Sequence, residues 1–135
     1  MSEELSILYV DDDPDIRTIV ELALGLDPMI DLRMAGSAGE ALSMLARDSW
    51  RPQGVLLDVM MPGADGTELM TALRALDGLE RVPVIFMTAK TRDADVARYR
   101  GLGAAEVIPK PFDPLQLAGR LHAILDSAAR GGKSD

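Results

Sequence analysis

The sequence predicts an α/β domain, a doubly wound five-stranded parallel sheet in the order 2-1-3-4-5 with helices on both faces. Two observations point there. Short apolar runs alternate five times with stretches of helical apolar spacing, a succession that calls for parallel strands joined by right-handed crossovers. The runs Val55 to Leu57 and Val84 to Met87 are continuously apolar, as suits strands buried on both faces. With 135 residues, no internal repeat and no low-complexity linker, the chain is expected to form one core.

The elements follow in order. Ile7 to Val10 is a strand that stops at Asp11, Asp12 and Asp13, and Pro14 stands where the first residue of a helix tolerates proline. Asp13, directly before it, reads as the helix cap. Ile16, Ile19, Val20, Ala23 and Leu24 give that helix its buried face, and the helix breaks at Gly25 to Pro28. Ile30, Leu32 and Met34 alternate with Asp31 and Arg33, the period of a strand near a sheet edge. Ser37 and Glu40 form a capping-box pattern ahead of Ala41, Leu42, Leu45 and Ala46, in a helix that ends before Pro52. Asp58 ends the third strand, before a loop containing Pro62, Gly63 and Gly66, and Leu69, Met70, Leu73 and Leu76 mark the next helix. The fourth strand reaches Thr88. A less regular helix follows, with Val96, Ala97 and Leu102 as its expected buried positions and Gly101 and Gly103 at its close. Glu106 to Ile108 is the fifth strand, Pro109 to Pro114 a loop, and Leu117, Leu121, Ile124 and Leu125 the face of the last helix. Residues 131–135 read as a flexible tail behind a domain of residues 1–130.

Composition excludes several functions. There is no cysteine, so disulfides, thiolate nucleophiles and cysteine zinc sites are absent. A net charge of −8 repels nucleic acid and anionic lipid, and neither a secretory signal nor a membrane span is visible, which leads us to expect a cytoplasmic protein.

In such a sheet the ligand site lies beyond the carboxyl ends of the strands, where the connections diverge. Those ends carry Asp11, Asp12, Asp58, Thr88 and Lys110. Clustered carboxylates are unfavourable unless some protonate or a cation intervenes. Mg²⁺ suits this corner, because it prefers one or two carboxylates, waters and phosphate oxygens, whereas Zn²⁺ favours histidine or cysteine. Asp58, on the central strand, is best placed as a nucleophile toward phosphorus. Lys110 would bind phosphate as a point charge and Thr88 would donate to a phosphoryl oxygen. The single histidine, His122, lies far along the last helix and reads as structural.

The segments ILYVDDDPDI, VLLDVMMPGADG, VIFMTA and IPKPF resemble the signatures of CheY-like receiver domains, the response-regulator modules of bacterial two-component signalling. The resemblance covers nearly the whole chain. It implies that Asp58 is the phosphoacceptor, that Asp11, Asp12 and the Met60 backbone carbonyl hold Mg²⁺ with it, and that Thr88 and Lys110 are the switch hydroxyl and the phosphate-binding lysine. It also implies a cis peptide between Lys110 and Pro111. Receivers often carry an aromatic switch residue three positions before the lysine. Here that position is Val107, with no ring to rotate, so output through loop movement is expected.

The resemblance further implies a phosphohistidine donor on a sensor histidine kinase or histidine phosphotransfer protein, and a downstream protein target, since no output domain is apparent in the sequence. The domain would be regulatory rather than a turnover enzyme. A flavin carrier or an aspartyl phosphatase on the same fold fits less well, because three aspartates occupy the first loop where the former needs a glycine- and hydroxyl-rich phosphate cradle and the latter its nucleophile. A phosphorylation-independent interaction module is the other alternative, kept open by Val107.

Overall fold

Residues 4–61 and 64–131 are described by the structure, a computed structural model. The chain runs β1 (Leu5–Val10), α1 (Pro14–Gly25), β2 (Ile30–Ala35), α2 (Ala38–Arg47), β3 (Gly54–Asp58), β4 (Met60–Met61), β5 (Ala64–Asp65), α3 (Gly66–Arg74), β6 (Val84–Thr88), α4 (Asp93–Gly101), β7 (Glu106–Pro109) and α5 (Pro114–Gly131). Five strands form one parallel sheet in the order β2-β1-β3-β6-β7. This is the predicted order once β4 and β5 are set aside. These two are a short antiparallel pair, Met60 opposite Asp65 and Met61 opposite Ala64, in what reads as loop from sequence. Pro62 and Gly63 of that loop, and residues 132–135 of the predicted tail, lie outside the described residues. Residue 131 belongs to α5.

Every residue of β3 and β6 is buried, as their unbroken apolar runs require. Cores lie on both faces of the sheet. One joins Leu8, Val10, Val55, Leu57, Val84, Phe86 and Val107 to α2, α3 and Tyr99 of α4; the other joins Ile7, Tyr9, Leu56, Ile85, Met87 and Ile108 to α1 and α5.

Some expected burial differs. On β2 only Ala35 is buried, and the alternating pattern becomes a run of half-buried residues. Asp31 and Arg33 gain a polar cover on this edge strand: the Trp50 indole N–H donates to Asp31 Oδ2 at 3.1 Å, and the Arg33 guanidinium lies 4.5 Å from the Trp50 ring centre. In α1, Val20, Ala23 and Leu24 are buried, but Ile19 is 40% exposed, because it lies at the margin of the stripe facing the sheet. Ala46 of α2 is exposed for the same reason. The weakest reading concerns α4, where Tyr99 is buried while Ala97 and Leu102 are exposed. Its sequence, DADVARYRG, offers too few apolar residues to define a face.

The caps follow local chemistry. Asp13 accepts from Asp15 N–H at 2.9 Å and caps α1 as expected. Ser37 accepts from Glu40 N–H at 3.0 Å, but the Glu40 carboxylate accepts from Gly36 N–H rather than closing the box on Ser37. The complete capping box is at α3, between Asp65 and Glu68. Gly103, with φ of 113°, turns the chain from α4 into β7, a conformation that favours glycine. Among the described residues no helix is long and apolar enough to cross a membrane.

Candidate phosphoacceptor and cation site

Side chains alternate along a strand, so residues two apart share a face. Ile7 and Tyr9 face α1 and α5, and Asp11 continues that row beyond the end of β1. Leu56 leads in the same way to Asp58, and Ile108 to Lys110. Thr88 continues the opposite row, after Val84 and Phe86. Parallel strands put all their carboxyl ends at one side, so the alternation brings acids and ammonium together.

Oxygens of Asp11, Asp12 and Asp58 all lie within 4.8 Å of one another. Asp11 is fully buried, Asp58 is nearly so, and Asp12 is exposed. The Lys110 ammonium stands 3.3 Å from Asp58 Oδ1 and 3.6 Å from Asp11 Oδ2, between the two buried acids. Asp58 Oδ1 also accepts from Met60 N–H at 3.2 Å. Burial pushes the Asp58 carboxyl above the usual range, and the Asp11 charge adds to this; Lys110 opposes it without cancelling it. Three carboxylates thus gather around one ammonium.

The donor set fits a hard cation. It offers carboxylate oxygens on three side chains, with no nitrogen or sulfur ligand, and its one exposed member, Asp12, leaves an approach open to solvent.

Of the remaining predicted residues, Thr88 is buried and its hydroxyl oxygen accepts from Lys90 N–H at 3.0 Å, which leaves its hydrogen available. Val107 is buried in the core that contains Phe86 and Tyr99, whose rings meet edge to face with centroids 5.4 Å apart. The peptide between Lys110 and Pro111 is cis, as the resemblance implies. His122 lies apart from this site: its Nε2 is 2.8 Å from Asp27 Oδ2. The Asp27 carboxyl is held below its usual range, first by the Met29 N–H and next by His122.

Two neighbours escape a reading from sequence. Arg17, one turn into α1, donates to the Asp11 backbone carbonyl at 2.7 Å. Tyr9, wholly buried, donates its hydroxyl to Asp11 Oδ2 at 2.5 Å. Burial above all, and then Asp11, raise the Tyr9 hydroxyl far above the usual phenol range, so it stays a donor. The available signal is a lone tyrosine in an apolar strand two residues before an acid, which places both on one face.

Residues 7–122 match the model of the response regulator receiver domain. The chain is 37% identical over 119 residues to the DNA-binding response regulator MtrA of Mycolicibacterium smegmatis, covering 88% of this chain and 50% of that protein. It is 34% identical over 135 residues to the transcriptional regulatory protein CseB of Streptomyces coelicolor, covering 100% of this chain and 55% of that protein. The chain thus spans about half the length of the curated relatives it matches. Among solved structures it superposes on the chemotaxis response regulator CheY4 of Vibrio cholerae with a TM-score of 0.79 at 27% identity, covering 90% of this chain and 98% of that one. The signal receiver domain of a signal transduction histidine kinase from Syntrophus aciditrophicus gives 0.76 at 28% identity, with 93% of each chain covered.

Proposed function

The chain belongs to the response regulator receiver domain family, and from that premise we propose that it accepts a phosphoryl group on Asp58 from a phosphohistidine donor. The observation that carries this reading is the buried Asp58 carboxylate, 3.3 Å from Lys110 and grouped with Asp11 and Asp12. In the transfer, an Asp58 oxygen attacks phosphorus, the new P–O bond forms as the P–N bond breaks, and the imidazole leaves, taking a proton. Lys110 exchanges its contact with the carboxylate for one with the phosphoryl oxygens. The Thr88 hydroxyl, already fixed by Lys90 N–H, turns its hydrogen to the same group.

Asp11, Asp12, Asp58 and the Met60 backbone carbonyl would hold Mg²⁺. When bound, it supplies the positive charge that offsets the carboxylates and the transferring group.

The role is regulatory: modification of Asp58 shifts a surface read by a downstream protein. With Val107 in place of an aromatic residue, movement of the loop after Thr88 would carry the change. The donor would be a sensor histidine kinase or a histidine phosphotransfer protein. The net charge of −8 disfavours direct contact between this domain and nucleic acid, although MtrA, a relative of about twice the length, is named a DNA-binding response regulator.

Incubation with Mg²⁺ and acetyl phosphate, followed by intact-mass measurement, tests the assignment. The expected result is a gain of one phosphoryl group that Asp58→Ala abolishes. No gain in the parent protein would overturn it and favour a phosphorylation-independent interaction module, and a gain that survives Asp58→Ala would overturn it by placing the acceptor at another residue.

A further inference from the structure

The hydroxyl of Tyr9 has no role in the chemistry above, yet it is fully buried and spends its hydrogen on one oxygen of one acid. The Asp11 carboxylate is held on every side. Its Oδ2 takes the Tyr9 hydroxyl at 2.5 Å and faces Lys110 Nζ at 3.6 Å. Its Oδ1 takes the Asp13 N–H at 3.0 Å, and its backbone carbonyl is fixed by Arg17. A carboxylate bound this way cannot turn both oxygens toward one ion. Oδ2 is committed to both the tyrosine and the lysine, whereas Oδ1 meets the Asp13 N–H alone and keeps a lone pair, so Asp11 has a single oxygen to offer.

This matters for which cation fits. Ca²⁺ takes six to eight oxygens in loose geometry and often uses both oxygens of a carboxylate, whereas Mg²⁺ demands near-octahedral geometry with one oxygen from each acid and waters in the remaining places. A pinned Asp11 serves the second and penalises the first. Partners of a ligating side chain commonly influence metal affinity tenfold or more. We propose that Tyr9 is a positioning residue that restricts Asp11 to one-oxygen ligation and thereby sets the preference of the acidic site for Mg²⁺ over Ca²⁺. The inference rests on the reading of this corner as a divalent-cation site.

Calorimetric titration of the metal-free protein and its Tyr9→Phe variant with Mg²⁺ and with Ca²⁺ separates the possibilities. Tyr9→Phe keeps the ring in place and removes only the hydroxyl. The expected result is that Mg²⁺ binding weakens about tenfold, Ca²⁺ binding weakens less or strengthens, and the ratio of the two dissociation constants falls. A loss through packing alone would weaken both alike and leave the ratio unchanged, which overturns the proposal. The parent protein offers a test that does not depend on folding of a variant: its phenolic proton, protected from exchange, is expected to persist in the NMR spectrum as Mg²⁺ saturates. Disappearance of that signal in step with Mg²⁺ binding would mean that Asp11 leaves Tyr9 to take the ion, and the proposal would fall. Absence of any divalent binding by the parent protein would instead remove the underlying site assignment.

Discussion

Asp58→Asn is expected to abolish phosphoryl acceptance completely while making the metal-free protein more stable, by on the order of 1 kcal/mol at neutral pH. The two effects share a cause. Burial and the nearby Asp11 charge raise the folded-state pKa of Asp58, with Lys110 compensating only in part. A carboxyl whose pKa is raised on folding contributes stability that is fully present below its unfolded pKa and is lost as pH rises through the folded value. Ionising Asp58 in the folded protein is therefore disfavoured, and the amide removes that cost while nearly keeping the shape. Thermal unfolding in chelator across a pH series should show Asp58→Asn melting a few degrees higher near neutrality, with the difference shrinking as pH falls. A variant less stable than its parent at neutral pH would mean that the attraction of Lys110 outweighs burial.

The second large effect is predicted for Gly66→Ala. A Cβ at Gly66, the first residue of α3, would stand 2.8 Å from the Asp58 carbonyl oxygen, 2.9 Å from Val59 Cα and 2.9 Å from Leu57 Cδ1. Two of these are backbone atoms, so the strand end or the helix must move. Overpacking of this kind costs about 1–3 kcal/mol, and a displacement near 1 Å in a reacting group can cost about a hundredfold in rate. The variant is expected to fold with a lowered Tm and to be phosphorylated by acetyl phosphate about a hundredfold more slowly at saturating Mg²⁺. A parental rate would show that the strand end tolerates the shift.

Much of this site is legible in the sequence because a parallel sheet converts position along the chain into position in space. Once Asp11, Asp58, Thr88 and Lys110 fall at strand ends, the fold brings those ends to one side of the sheet, whatever the intervening helices contain. What covers each face is less legible. Apolar spacing identifies a stripe but does not say how wide a strip the neighbours bury, so Ile19 and Ala46 fall outside it and α4 buries little beyond Tyr99. The cover over Asp31 and Arg33 of β2 depends on Trp50, which reaches back from beyond α2 and has no periodic signature. Glu40 sits at the capping-box spacing, yet Gly36 presents its N–H to the same carboxylate and takes it. Tyr9 reads as one more apolar strand residue, since its hydroxyl acquires meaning only when Asp11 is seen above it on the same face.

The central claim, that the acidic corner holds Mg²⁺ beside Asp58, is tested most directly by calorimetric titration of the metal-free protein with Mg²⁺. One ion per chain is predicted, with binding lost or reduced at least tenfold in both Asp11→Asn and Asp12→Asn. No measurable binding by the parent protein, or binding that both variants retain unchanged, would contradict it.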